Sequence, residues 1–178
     1  MNSVLQNTVD VSAEFKQVMR GVAGTIAIIT TADSEGNPVG MAATSFCSVS
    51  MDPASVLICV NKSASVLSAI QRQRKFCLNV LSARSQDVCN CFGGKFTQKE
   101  RFSFHPWERT EEGFPYLEDA QAILVCELAT EVSYGTHWVF LADVKSVRQS
   151  TNGIHPLIYL NGSYPSLLIE QKTGAATT

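Results

Sequence analysis

A mainly β fold, an antiparallel barrel with a few short helices, is what this sequence predicts. Two observations lead there. Many short runs alternate apolar and polar residues with a period of two, as Leu124, Cys126 and Leu128 do against Glu127, while stretches with helical spacing are few. Strands and helices also lack the regular alternation that the βαβ units of a doubly wound sheet require. The 178 residues are 45% hydrophobic and 17% charged, which fits one folded domain with a sizeable core and not a disordered chain. A formal net charge of -2 without a basic cluster argues against nucleic acid as a partner.

Membrane association is not expected. Apolar runs such as Ile123 to Cys126 are far too short to cross a bilayer. Residues 1–10 lack the basic-then-apolar order of a signal peptide. The six cysteines, at 47, 59, 77, 89, 91 and 126, lie mostly in apolar runs, where free thiols act as small hydrophobes. A chain of this length needs no disulfide framework, so a reducing cytoplasm is expected. No second cysteine pair accompanies Cys89 and Cys91, and His105, His137 and His155 are scattered, so no metal site is expected.

Along the chain, residues 11–22 predict a short helix. Phe15, Val18, Met19 and Val22 fall at helical spacing, Ser12 serves as N-cap, and Gly21 and Gly24 break it. Residues 25–31, TIAIITT, are β-branched and strand-like. A turn over 33–38 makes a hairpin with the next strand, which lies in the segment GMAATSFCSVSMDP, residues 40–53. That segment is unusual. Thr44, Ser45, Ser48 and Ser50 stand where a core strand would carry Val, Ile or Leu. It therefore offers many donors and little bulk, which suits a flat, polar-edged ligand lying close to the backbone.

Residues 54–60 form the next strand. After the turn from Asn61 to Ser65, Ser63 or Ser65 caps a helix reaching Arg74, with Val66, Leu67 and Ile70 as its buried stripe. Residues 76–81, FCLNVL, are a strand with one polar intruder, Asn79. Ser85 caps a second helix bearing Val88, Cys91 and Phe92 on one face, ended by Gly93-Gly94. Residues 95–119 hold Phe96, Phe102, Phe104, Trp107, Phe114 and Tyr116 with little periodicity. They read as a long excursion packed on the body, where functional loops often occur. In the strand 122–132, Leu124, Cys126, Leu128 and Val132 face inward and Glu127 and Glu131 outward; in 137–147, Trp138, Phe140, Ala142 and Val144 face inward. Residues 156–160 and 164–169 end the fold around Asn161-Gly162, and the tail 172–178 is expected to fray. A single domain spans 1–178, with its core over about 15–169.

No G-x-G-x-x-G, G-x-x-x-x-G-K-[ST] or G-x-S-x-G is present, so neither a Rossmann or P-loop nucleotide site nor a serine hydrolase is supported. Four features admit two readings each. The turn Asn61-Lys62-Ser63-Ala64-Ser65 is either an N-cap beside a solvated lysine or a phosphate cradle. His137, after Gly135 and Thr136, is either a surface turn residue or a cofactor contact. Asn79 either pairs with a neighbouring loop backbone or meets a ligand edge. PLIYLNGSY, with Tyr164, is either a plain hairpin or an aromatic pocket wall.

Taken in order, VAGTIAIITT, GMAATSFCSVSMDPASVLICVNKSAS, FCLNVL, ERFSF with Trp107, GTHWVFLADV and PLIYLNGSY resemble the short-chain flavin reductases. The resemblance runs from about Phe15 to about Leu168. Within it, CSVSMDPASVLICVN, ERFSF, and GTH (where many relatives carry Gly-Asp-His) are most similar to the reductase components of two-component 4-hydroxyphenylacetate 3-monooxygenases.

The resemblance implies a compact Greek-key barrel, the FMN-binding split barrel, forming a homodimer with flavin near the subunit interface. It implies an NAD(P)H:flavin oxidoreductase that reduces FMN or FAD with NADH or NADPH and passes the reduced flavin to a separate oxygenase. Ala43, Thr44, Ser45, Ser48, Val49 and Ser50 would border the isoalloxazine and ribityl. Lys62, Ser63 and Ser65, in the turn opened by Asn61, would hold the phosphate. Asn79 would lie near the flavin, Tyr164 would add an aromatic wall, and His137 would meet the nicotinamide as the catalytic candidate. Hydride transfer between two flat rings needs register and shielding but no carboxylate pair or activated nucleophile, and none is visible. Two other readings of the same fold are a non-catalytic flavin-binding electron carrier and an oxidase of the pyridoxamine phosphate type.

Overall fold

The computed structural model describes residues 10–93 and 95–168. Gly94, Ile169 and the tail 172–178 named above, with residues 1–9, lie outside them. Helix α1 (Val11–Arg20) opens the described chain. Its N-cap is Asp10, whose carboxylate accepts from the backbone N–H of Ser12 and of Ala13 at 3.0 and 3.3 Å, so the cap precedes the Ser12 expected for it. An aspartate in extended backbone reaches the free first-turn N–H groups, and a serine already inside the helix cannot.

Strand β1 (Gly24–Thr25) leads into β2 (Ala27–Ala32), which pairs with β3 (Pro38–Ala43) as the expected hairpin. Its turn is held by Asp33, which accepts from the backbone of Glu35 and Asn37 and from the Asn37 amide. The Asn37 amide bond is the main cause that holds the Asp33 carboxyl below its ordinary value. The segment 40–53 is not one strand. It ends β3 at Ala43, turns at Thr44 and Ser45, and resumes as β4 (Phe46–Met51).

Strand β5 (Ala54–Asn61) follows, then α2 (Leu67–Gln73) and β6 (Lys75–Val80). Neither Ser63 nor Ser65 caps α2, whose N-cap is Val66 with no side-chain bond. Helix α3 (Gln86–Cys91) likewise takes no bond from the Ser85 side chain, which faces Ser82 Oγ at 3.0 Å. The excursion contains α4 (Gln98–Arg101) and a small hairpin, β7 (Glu108–Arg109) with β8 (Pro115–Tyr116). Strands β9 (Ala122–Tyr134) and β10 (His137–Gln149) form a long hairpin, and β11 (Ile158–Tyr159) pairs with β1.

Seven strands make one antiparallel sheet in the order β3-β2-β6-β9-β10-β5-β4. Its two edges, β3 and β4, are joined by Thr44 and Ser45 alone. Three Cα–Cα steps span at most about 11 Å. The sheet is therefore curled until its edges approach at that end, which leaves a barrel with one unpaired seam, the split barrel expected. Ala27, Ile29, Val56, Ile58, Val60, Phe76, Leu78, Cys126, Leu128, Phe140 and Ala142 fill it. A second cluster, including Ile28, Leu81, Val88, Phe92, Leu117 and Leu157, lies outside β2 and β6 under α3 and the excursion.

One inward–outward assignment changes. Ala142 pairs with Leu128 and Leu141 with Thr130, so Ala129 is a bulge in β9. A one-residue bulge exchanges the faces beyond it. Glu131 then lies opposite inward-facing Phe140, and Val132, expected inside, is 55% exposed. Glu131 stays at the core rim, where it accepts from Gln71 Nε2 at 3.3 Å and stands 3.8 Å from Arg74. All six cysteines are free thiols, and burial pushes Cys77 and Cys126 up to about 12. Among the described residues no helix is long and apolar enough to cross a membrane.

Candidate functional site

The barrel end beside the seam gathers most of the hydroxylated and basic residues singled out in the sequence. Ser45 sits where β4 begins; its carbonyl accepts from Cys59 N–H at 3.0 Å, and its Oγ donates to Cys59 O at 3.0 Å. Two residues on, Asn61 ends β5 directly opposite His137, the first residue of β10. The β9–β10 turn is Gly135-Thr136, with Gly135 at φ +53, a conformation that suits glycine at the first position of a two-residue hairpin loop. It brings Thr136 O to Lys62 N–H at 2.9 Å and Thr136 Oγ1 to His137 Nδ1 at 2.9 Å. Strand alternation puts Ser45, Asn61 and His137 on the outer face, because Phe46, Val60 and Trp138 pack on the core. Thr44, Ser45, Lys62, Ser63, Ser65 and His137 are all exposed.

The turn after β5 is held from within and from outside. Asn61 Oδ1 accepts from Ser63 N–H at 2.9 Å and from Ser63 Oγ at 2.8 Å. Ser65 Oγ accepts from Gln98 Nε2 at 2.8 Å. The same Gln98 amide clasps Gly40 on the open edge of β3, and Arg101 Nη1 donates to Gly40 O at 3.2 Å. Position 40 has to be glycine, since a Cβ there would stand 2.8 Å from the Ile29 carbonyl oxygen. Arg101 also donates to Phe96 O and lies 5.8 Å over the Phe92 ring, and burial pulls its basicity down.

Other predicted site residues fall elsewhere. The Ala43 side chain, expected to border the isoalloxazine, is buried in the barrel core. Ser48, Val49 and Ser50 run down the edge strand away from Lys62. Val49 is a bulge between Ser48, opposite Val56, and Ser50, opposite Ser55. Ser50 Oγ is spent on Asp52, donating to its carbonyl and accepting from its N–H. Asn79 is fully buried: its amide donates to Ile28 O at 3.0 Å and to Thr30 Oγ1 at 3.1 Å, and its carbonyl accepts from Leu117 N–H at 2.9 Å. Both N–H donors of Asn79 are thus engaged by β2, and its carbonyl oxygen by Leu117 of the neighbouring loop.

Tyr164 packs with the second cluster, its hydroxyl 3.2 Å from Asn90 Oδ1 and 3.5 Å from Cys89 Sγ. The tyrosine beside Thr44 is Tyr159, which lines a cavity of about 370 Å³ together with Phe15, Met19, Val22 and Gly24. A larger trough, about 560 Å³, lies across the outer face of β9 and β10 between Lys75, Tyr116, Val125 and Arg148, and contains none of the predicted residues.

Gln98, Arg101 and Tyr159 are thus the neighbours that sequence reasoning missed. ERFSF marked the stretch holding Arg101, but nothing in a sequence shows that an excursion of some twenty-five residues folds back onto Gly40.

Comparison with known proteins identifies the family and agrees with the fold. A family model described as flavin reductase like domain matches residues 19–168. The NADH-dependent FMN reductase RutF of Pseudomonas syringae pv. syringae is 38% identical over 153 residues, covering 86% of this chain and 85% of the relative. The structure of nitrilotriacetate monooxygenase component B from Mycobacterium thermoresistibile superposes with a TM-score of 0.83 at 28% identity, over 94% of this chain and 92% of that one. The NADH:FAD oxidoreductase SgcE6 of Streptomyces globisporus superposes with a TM-score of 0.82 at 25% identity, over 90% and 96%.

Proposed function

The chain belongs to the flavin reductase-like family, and from that premise we propose that it oxidises NADH to reduce FMN or FAD, and supplies the reduced flavin to a separate oxygenase. The observation that carries this reading is the meeting of Thr44, Ser45, the turn from Asn61 to Ser65, and His137 at one open barrel end. The donor set suits a flavin phosphate: the Lys62 ammonium and the Ser65 hydroxyl are exposed there, and segment 61–65 holds no carboxylate. Bound flavin supplies the two-electron acceptor. The chain's own task is to hold the ring along the seam near Thr44, Ser45 and Ser48, and to steer the nicotinamide with His137.

FMN and NADH are the first pair to test, because the Pseudomonas relative is named for both. FAD stands beside FMN, since the Streptomyces oxidoreductase is named for it. For the partner we favour an oxygenase of the 4-hydroxyphenylacetate 3-monooxygenase kind, supported by CSVSMDPASVLICVN, ERFSF and GTH. A homodimer and a cytoplasmic location complete the proposal. The dimer is supported by the wholly unburied α1, and the location by six unpaired thiols and the need for NADH.

Steady-state oxidation of NADH and NADPH against FMN, FAD and riboflavin tests the activity. Flavin-dependent oxidation is expected, fastest with NADH. No oxidation with any flavin would overturn the reading. Addition of a purified 4-hydroxyphenylacetate oxygenase tests the partner: absence of hydroxylated product, with NADH still consumed, would remove the partner and leave the reductase.

A further inference from the structure

One side-chain amide ties the proposed phosphate turn to the open edge of β3. Gln98 Oε1 accepts from Gly40 N–H at 2.9 Å, and Nε2 donates to Gly40 O at 3.0 Å and to Ser65 Oγ at 2.8 Å. A primary amide has two N–H donors, and both are spent, so Gln98 has none left for a ligand. The consequence falls on Ser65. A hydroxyl oxygen that accepts from an amide keeps its own hydrogen free to donate. Ser63 is arranged the other way, because its Oγ donates to Asn61 Oδ1 and its hydrogen is used inside the turn.

Gln98 is itself held in place. Helix α4 begins with a reciprocal box: Thr97 Oγ1 accepts from Glu100 N–H, and the Glu100 carboxylate accepts from Thr97 N–H. On the strand side, Gly40 leaves no side chain in the way and is flanked by the rings of Phe92 and Phe102. Gly40 turns its N–H and C=O out of the sheet because β3 is an edge strand.

We propose that Gln98 is a positioning residue for the flavin phosphate: by clamping the open edge of β3 to Ser65, it presents the Ser65 hydroxyl as a donor to a phosphate monoester. This rests on the flavin reductase reading and adds to it a residue that, through Ser65, favours phosphorylated flavin over riboflavin. Gln98 acts through Ser65 and does not touch the ligand.

Dissociation constants for FMN and riboflavin, measured by fluorescence titration, test this in the wild type, Gln98→Ala, Gln98→Glu, Ser65→Ala and the Gln98→Ala/Ser65→Ala double variant. Gln98→Ala and Ser65→Ala should each weaken FMN by about 10-fold while riboflavin stays within about 2-fold. The double variant should be no weaker than the weaker single one, because both break one chain of contacts. Gln98→Glu cannot donate to Ser65 and adds a negative charge, so it should weaken FMN more than Gln98→Ala and again spare riboflavin. Equal losses of FMN and riboflavin, or additive losses in the double variant, would overturn the proposal and leave Gln98 a brace for β3. If Gln98→Ala does not fold, near-isosteric Gln98→Glu and exposed Ser65→Ala decide by the same split. A wild type that binds neither flavin would instead strike at the flavin reading itself.

Discussion

Asn79 was expected near the flavin and His137 at the nicotinamide, and at the scale of single residues they part company: Asn79 is fully buried and His137 is exposed. The Asn79 amide satisfies Ile28 O, Thr30 Oγ1 and Leu117 N–H at a fully buried position. Asn79→Ala strands those partners, and should cost about 2–4 kcal/mol of stability in urea unfolding, since buried unpaired groups cost about 1–3 kcal/mol each. The flavin constants of the folded fraction should not move; a selective loss of flavin at unchanged stability would return Asn79 to the site. His137 is exposed, and its Nδ1 is engaged by Thr136 Oγ1. His137→Asn should raise the KM for NADH and slow flavin reduction about 10-fold, or about 1.4 kcal/mol of barrier, with flavin affinity little changed. In stopped-flow reduction from pH 6 to 9, a pH dependence present in the wild type and lost in the variant would make His137 an acid and not a positioning group.

Among the elements, α1 stands apart. Its ten residues carry Val11, Phe15, Val18 and Met19 at 48–74% exposure, and none is buried. A helix this short is marginal in water without a packed face. In the proposed homodimer a second copy covers that face. Val18→Asp should then convert a dimer to a monomer in light scattering at micromolar concentration and lower the helical signal. An unchanged dimer would put the interface elsewhere. The bulge at Ala129 is the other element-scale device. It keeps Leu128 in the core and still presents Glu131 to Gln71 and Arg74, an arrangement a regular strand would not allow.

For the molecule as a whole, three strongly raised groups lead the response of stability to alkali. Burial holds the Cys77 and Cys126 thiols up to about 12 against an ordinary 9.0, and the bond to Cys89, with burial, holds Tyr164 up to about 12 against 10.0. The unfolded chain releases these protons first. Their contribution is therefore complete below about pH 9 and lost as pH rises toward about 12. The urea midpoint should fall steadily between about pH 8.5 and about pH 11, less steeply in Tyr164→Phe. A midpoint flat over that range would contradict the burial assigned to these groups.

The strands were legible in the sequence because a half-buried strand writes its period of two directly into residue type, as Phe140 and Ala142 do in β10. The tight turn at Asn161-Gly162 was legible for a similar reason: φ is +47 and +84 there, values that favour Asn and Gly, although the segment after it, 164–168, forms no strand. The turn from Asn61 to Ser65 and the hydroxyl-rich segment stood out because a packed core strand would not tolerate that composition. Other features depend on contacts between residues far apart in the chain, which no local pattern encodes. The break at Thr44-Ser45 follows from closing a seven-strand sheet on itself. The reversal of Val132 and Glu131 follows from one inserted residue, Ala129, that looks like any other alanine. Asn79 could face a ligand or a loop until Leu117 was seen to meet it, 38 residues away. Gln98 reaches Gly40 across 58 residues. Local chemistry thus determined which residues could bind and which strands would form; long-range packing decided which side chains had hydrogen-bonding capacity left over for a ligand.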